Sequence, residues 1–284
     1  MTKASITAPQ PGSTLDLTDD LAECGWRYET ITLADGTTTD IMVPLTEEEF
    51  LHPQEDYHLP NNTFHDRVSL DVKDILTRRY SDRPDVGVFH DLLIEWDIPG
   101  LKDHAPDVCV VFGVRNKEQQ RTKFIVAHEG CRPVFVLEVV SPRYRKADRE
   151  TKVVHYAQAR VQDYVLIDRR HYRGQLLEEV IGYHLVADHY QPITPDEDGR
   201  IYCPTLGLWL SLRDSQVILE DGETGERLLT STELQQQAQQ AEQRAEQAEQ
   251  RAEQAEQRAE QAEQRAERLA ALLRSQGIDP DQVV

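Results

Sequence analysis

From Ala241 the chain repeats AEQRAEQ three times without a break, and the pattern runs on to Arg268. Alanines fall at 241, 245, 248, 252, 255, 259, 262 and 266, an alternating four-three spacing that no strand can use. It is a heptad seam with Ala at both a and d. Ala, Glu, Gln and Arg all favour helix, so one long helix is predicted over 235–274, followed by a flexible tail, 275–284. With Ala241 at d, Glu242 sits at e and Arg244 at g. In a parallel pair each g Arg then meets an e Glu five residues on in the other copy, as Arg244 with Glu249. An Ala seam buries little area, and Leu269 and Leu273 continue its register as anchors. The expected partner is a second copy, in a homodimer through a coiled coil. A solitary solvated helix is the alternative.

The remaining residues, 1–234, must supply the folded body. They hold 25 Lys and Arg against 41 Asp and Glu, so 16 of the chain's 20 net negative charges lie there. Long-range attraction to nucleic acid or anionic lipid is poor at that balance. That balance counts against a tight non-specific DNA binder, and any DNA contact must come from a local basic patch. The four cysteines are at least 22 residues apart, without metal-like pairing; Cys109 and Cys131, in or beside apolar runs, read as buried thiols. The opening MTKASITAPQPGS lacks an apolar core, and no stretch approaches 18 apolar residues. The expectation is a soluble, cytoplasmic protein with no membrane contact.

Along the body, RYETITLADGTTTDIMV alternates around Asp35-Gly36, a hairpin signal. PLTEEEFL offers Thr46 and Glu49 as a capping box. Phe64, Val68, Leu70, Ile75 and Leu76 mark a helix from Thr63 to Tyr80. Strands follow at 85–98, 105–114 and 133–140. ADRETKVVHYAQARV reads as a helix, DYVLID as a buried strand, and hairpin-like segments fill out the body to about Leu212. Strand, strand, helix, strand over 105–168 predicts an α+β fold, a mixed sheet backed by helices.

Chemistry is signalled where charge interrupts burial. In PVFVLEVV (133–140) seven of eight residues are apolar or Pro, yet Glu138 sits among them. A carboxylate in a core strand is costly unless it is paired, protonated or bound to a cation. Asp107 opens the apolar run VCVVF. If those strands are neighbours, the two carboxylates share a place, and one proton or one divalent cation relieves their repulsion. An oxygen-rich site suits Mg²⁺ or Mn²⁺, which polarise phosphoryl oxygens. Lys152, on the next helix, has Asp148 and Tyr156 one turn to either side. SPRYRKADRETK gathers Arg143, Arg145, Lys146, Arg149 and Lys152, the most basic stretch of the chain, where DNA phosphates would dock.

The arrangement APDVCVVFG … PVFVLEVVSP … Asp148, Lys152, Tyr156 … VQDYVLID resembles the Uma2 family (DUF820) of the PD-(D/E)xK nuclease superfamily. The likeness extends to LTEEEFL, to His65 in NNTFHDRV, to DEDGRIYCPTLGLWL and DGETGERLLT, and to the Ala/Glu-rich helix. It implies a restriction-endonuclease-like core over 1–234 and metal-dependent hydrolysis of DNA phosphodiesters. It also implies Asp107 and Glu138 as metal ligands, with the Val139 carbonyl as a further one. The lysine of the general pattern, two residues after the glutamate, is Val140 here, and Lys152 is the candidate replacement. The neutraliser of Glu138 is expected to be a cation shared with Asp107, not a salt-bridge partner.

Simpler assignments stand beside these. Asp107 alone is a strand-entry residue, Lys152 alone a solvated helix residue, Tyr156 core packing, and His65 a helix-face or capping residue. Asp148 alone makes an i,i+4 ion pair with Lys152. Pro84-Asp85 is a second acidic candidate, disfavoured by its distance from Glu138. The alternative function is a catalytically weak or inactive nuclease-fold scaffold that oligomerises through its helix.

Overall fold

The computed structural model describes residues 25–59, 62–141, 144–172 and 175–277, together with Leu21. It divides into two compact units, Met1–Leu229 and Thr230–Val284.

The first unit opens with strands β1 (Trp26–Thr32) and β2 (Thr38–Pro44), an antiparallel hairpin closing around Asp35-Gly36. Helix α1 (Glu47–Leu51) starts at the expected box: Thr46 Oγ1 accepts from Glu49 N, and the Glu49 carboxylate accepts from Thr46 N. Asn62 caps α2 (Thr63–Arg79), accepting from the backbone N–H groups of Phe64 and His65. Phe64, Val68, Val72, Ile75 and Leu76 form its buried stripe. Leu70 is half exposed, so it is not a core residue; Val72 holds that place one turn after Val68.

The strands β3 (Val86–Phe89), β4 (Leu93–Glu95), β5 (Val108–Phe112) and β6 (Lys123–Ile125) lead through helix α3 (Val126–Glu129) to β7 (Pro133–Val139). Helix α4 begins as a π-turn, Ala147–Thr151, and continues as α-helix over Lys152–Gln158. Then come β8 (Asp163–Tyr172), β9 (Gln175–Val186), β10 (His189–Pro192), β11 (Ile201–Cys203), β12 (Leu208–Arg213), β13 (Gln216–Asp221) and β14 (Arg227–Leu228).

Six strands form the central sheet in the order β10-β9-β8-β7-β5-β3. Every pairing in it is antiparallel except β7 with β8, which α4 joins as a crossover. It is the mixed sheet the element order requires. Period-2 alternation then sends neighbouring residues to opposite faces. Phe135, Leu137 and Val139 pack with α2 and the four-stranded sheet β11-β12-β13-β14. Val136 and Val140 pack under α4 with Tyr156, Tyr164 and Leu166. Glu138 shares the parity of Val136 and Val140, and so belongs to the α4 face.

In the second unit, Thr230 and Glu233 form a capping box for α5 (Ser231–Ser275), a single 45-residue helix with no buried residue. Among the described residues no helix is long and apolar enough to cross a membrane. Cys109 and Cys203 are buried thiols, whereas Cys131 is only half-buried at the start of a turn into β7.

Candidate active site

The β5–β7 ladder pairs Val108 with Leu137 and Cys109 with Val136. Carried one residue further, it sets Asp107 opposite Glu138 on the same face, where cross-strand Cβ atoms lie about 4.5–5.5 Å apart. The β3–β5 ladder pairs Phe89 with Cys109, and two residues past that last pair Asp91 comes beside the residues that lead into β5. Asp91 N donates to Pro106 O at 3.2 Å there. Three carboxylates thus gather at adjacent strand ends. Asp85 enters β3 at its other end and holds Arg83 in an exposed two-bond pair, which removes it from the site.

Asp107 Oδ2 accepts from Val139 N at 2.6 Å and lies 3.1 Å from His65 Nε2. His65 is therefore turned into the site from the first turn of α2, while Asn62 does the capping. Burial alone would favour a neutral Asp107. The His65 imidazolium, Lys152 and the Val139 N–H outweigh it and hold this carboxyl below the usual carboxylate range. His65 answers in kind: burial works against its charge, but Asp107 raises it to about 9.

Glu138 is 2% exposed. Tyr156 Oη donates to its Oε1 at 2.6 Å, and Lys152 Nζ lies 3.1 Å from Oε2. The same ammonium stands 2.9 Å from Asp148 Oδ1, while Asp148 Oδ2 accepts from Ser141 N at 3.0 Å. Contrary to the sequence-based expectation, Glu138 does have a salt-bridge partner. The reason is α4: Lys152, Tyr156 and Ala159 form its buried stripe against the sheet, so Lys152 is no solvated helix residue. Lys152 also sits 4.7 Å from the centre of the Phe50 ring, which stacks on Tyr144. Val140 is buried two residues beyond Glu138, on the same face, so α4 supplies a lysine to the face where the general pattern would put one.

The charges do not balance locally. Asp107, Glu138 and Asp148 are all buried, with Lys152 and His65 the cationic groups bonded to them among the described residues. Burial first, then Asp107 and Asp148, push Glu138 up to about 8 despite the lysine, and Asp148 is raised as well. Lys152 is raised above its ordinary value by Asp148, Glu138 and Asp107, which overcome its burial. Asp91 is half exposed; desolvation, then Asp107, shift its carboxyl upward. One proton, or one added cation, is what this cluster lacks.

These groups open onto a cavity of about 820 Å³ lined also by Trp26, Phe50, Tyr57 and His58. His65 Nδ1 and Ser141 Oγ, both in its wall, are buried without hydrogen-bond partners among the described residues. Among the described residues no group of three or more His, Cys, Asp or Glu side chains forms a ready metal cage. The all-oxygen pair Asp107 and Glu138 nonetheless fits Mg²⁺ or Mn²⁺, since Mg²⁺ is commonly held by one or two carboxylates and keeps several waters.

The basic stretch is dispersed. Arg145 Nε and Arg149 Nη1 donate to Asp168 Oδ2 at 2.9 and 2.6 Å, so both are tied to a buried carboxylate on β8. Lys146 is exposed, and Arg143 lies outside the described residues. Any anion approaching Arg145 or Arg149 therefore has to compete with Asp168. Sequence reasoning missed Asp91 and a chain behind α4. There Trp96 Nε1 donates to His104 Nδ1 at 3.0 Å, and His104 Nε2 lies 2.8 Å from His155 Nδ1. Trp can only donate, so His104 carries its proton on Nε2 and donates to His155.

The chain has no match among curated proteins. A solved structure from Anabaena variabilis, described as a "putative nuclease belonging to DUF820", is 14% identical, with a TM-score of 0.40 over 57% of this chain and 86% of that one. The C-terminal helix is similar to the alanine zipper of a major outer membrane lipoprotein over residues 229–273. The model of Uma2, described as "Putative restriction endonuclease", matches residues 58–213, a span that takes in Asp107, Glu138 and Lys152 together. The chain belongs to the Uma2 family.

Proposed function

We propose that the chain is a divalent-metal-dependent endonuclease that hydrolyses DNA phosphodiester bonds. The observation that carries this reading is the meeting of Asp107, Glu138 and Lys152 in one cavity, short of one positive charge. Asp107 and Glu138, with the Val139 carbonyl, would hold Mg²⁺ or Mn²⁺. The ion would neutralise charge building on the phosphoryl oxygens. His65 keeps Asp107 ionised; Tyr156 fixes the rotation of Glu138; Asp148 steers Lys152. The Lys152 ammonium is poised to leave Glu138 for a phosphoryl oxygen once a cation takes that carboxylate.

Wild-type chain is expected to cut DNA, offered both as supercoiled plasmid and as a single strand, only with Mg²⁺ or Mn²⁺, and either ion should raise its melting temperature. Asp107→Asn and Glu138→Gln should each cost on the order of 100-fold in cleavage, the scale of losing one electrostatic contact to the transition state, and should remove the thermal shift. A folded wild type with neither cleavage nor shift would overturn the reading. The scaffold alternative draws on Arg145 and Arg149, spent on Asp168, and on the acidic body. It is the reading such a result would leave.

For the helix, the e and g pattern supports a parallel homodimer through 235–274. Sedimentation should show a dimer that becomes lighter by a whole subunit when the chain ends before Ser231. A full-length monomer at high concentration would refute it.

A further inference from the structure

The cavity that holds the carboxylates has two unlike kinds of lining. One part is ionic: His65, Asp91, Asp107, Glu138, Asp148 and Lys152. The rest, from β1, α1 and the segment after α1, includes Trp26, Phe50, Leu51, Tyr57, His58 and Leu59. Trp26 and His58 stack with ring centres 3.7 Å apart and planes 14° from parallel. Their backbones exchange hydrogen bonds in both directions, Trp26 N to His58 O at 2.7 Å and His58 N to Trp26 O at 2.8 Å. The pair is thus a fixed planar slab. Phosphodiester hydrolysis by itself has no use for such a wall.

The charge on the lining narrows what the wall is for. Lys152 is the one Lys or Arg among the described lining residues, against Glu55, Asp91, Asp107, Glu138 and Asp148. Affinity cannot come from cradling many phosphates, which is how duplex binders work. The volume, about 820 Å³, falls in the range that encloses small ligands and is far too small for a double helix. Aromatic side chains beside a phosphate-binding centre are how unpaired strands are held, because every base has a face to stack.

Resting on the nuclease reading above, we infer that the aromatic wall receives an unpaired nucleobase and that the strand cut here is single-stranded DNA. The cation and Lys152 take the phosphodiester, and the adjoining base lies against the wall of Trp26, Tyr57 and His58. The preference is for unpaired over paired strands and is indifferent to base identity.

The test uses the full chain with Ca²⁺ and fluorescence anisotropy of a labelled oligothymidylate, a sugar–phosphate strand of equal length without bases, and a blunt duplex. The oligothymidylate should bind about tenfold or more tighter than either of the others, the scale of one stacked base. Trp26→Ala should erase most of that gap and leave the baseless strand unchanged, while Trp26→Phe should keep it. Tyr57→Ala reads the same wall should the first substitution disturb the hairpin. Equal affinity for the three probes, or losses shared equally by the baseless strand, would overturn the inference. Asp107-dependent cleavage alongside base-independent binding sinks only the base wall. Base-dependent binding without any cleavage sinks only the nuclease reading.

Discussion

Two charged clusters occupy the same face of the central sheet, and they are built in opposite ways. Around Glu138, three buried carboxylates share one lysine and one histidine. Around Asp168, two residues beyond Leu166 in the β8 alternation, one buried carboxylate is shared by Arg145, Arg149 and Arg170, with Glu179 accepting from the last two. The guanidinium side chains are 26–36% exposed, so water solvates whatever charge is left over. Lys152 has no such outlet. The first cluster is short of a cation in a dry place, and the second has cations to spare in a wet one. Only the first has an unmet electrostatic need that a ligand can fill.

The sharpest way to break the contrast is Lys152→Met. Removing the ammonium that Glu138 and Asp148 share leaves buried charge uncompensated, and about 3–5 kcal/mol of stability should go, measured by urea unfolding. Next in size is the pH dependence. Glu138 holds its proton up to about 8 in the fold, against an ordinary value of 4.5, and His65 up to about 9, against 6.5. The folded chain therefore binds more protons than the unfolded one across that window, and stability must fall as pH rises from about 5 to about 9. Glu138→Gln should flatten the lower part of the slope. Smallest are the substitutions in the second cluster. Asp168→Asn should cost about 1–3 kcal/mol, since the guanidinium groups keep water and Glu179. Arg145→Ala should cost less than about 1 kcal/mol, since Arg149 and Arg170 remain. An Arg145→Ala variant as unstable as Lys152→Met would erase the distinction.

What was legible in the sequence follows from how local each signal is. The hairpin at Asp35-Gly36, the boxes at Thr46 and the cap-and-stripe of α2 are decided within a few residues, and the mixed sheet follows from element order. Glu138 was visible because a charge breaks an apolar run. Lys152 came beside it only through the family resemblance, and its ion pair with Glu138 was not foreseen, because which side of α4 meets the sheet is a tertiary fact. Leu70 was read as core and Val72 passed over for the same reason, although the two lie about 200° apart around the helix. Arg145 and Arg149 read as a basic patch because Asp168, 23 and 19 residues away, cancels them only in space. β13 and β14 lie past the last hairpin signal read from the sequence, although each pairs with its neighbour in the chain, Arg213 with Gln216 and Glu220 with Arg227.

The π-turn at Ala147–Thr151 sets the rotation of everything after it in α4. Such a turn holds one residue more than an α-turn, and each residue of a helix is worth about 100°. Winding the segment into plain α-helix with its residue count unchanged would swing Lys152 and Tyr156 together about a quarter-turn around the axis. Glu138 would lose both its ion pair and its hydroxyl donor in one event, with neither residue altered. The turn is a detent on a dial: the chain selects the contents of its cavity by helical phase as well as by residue type.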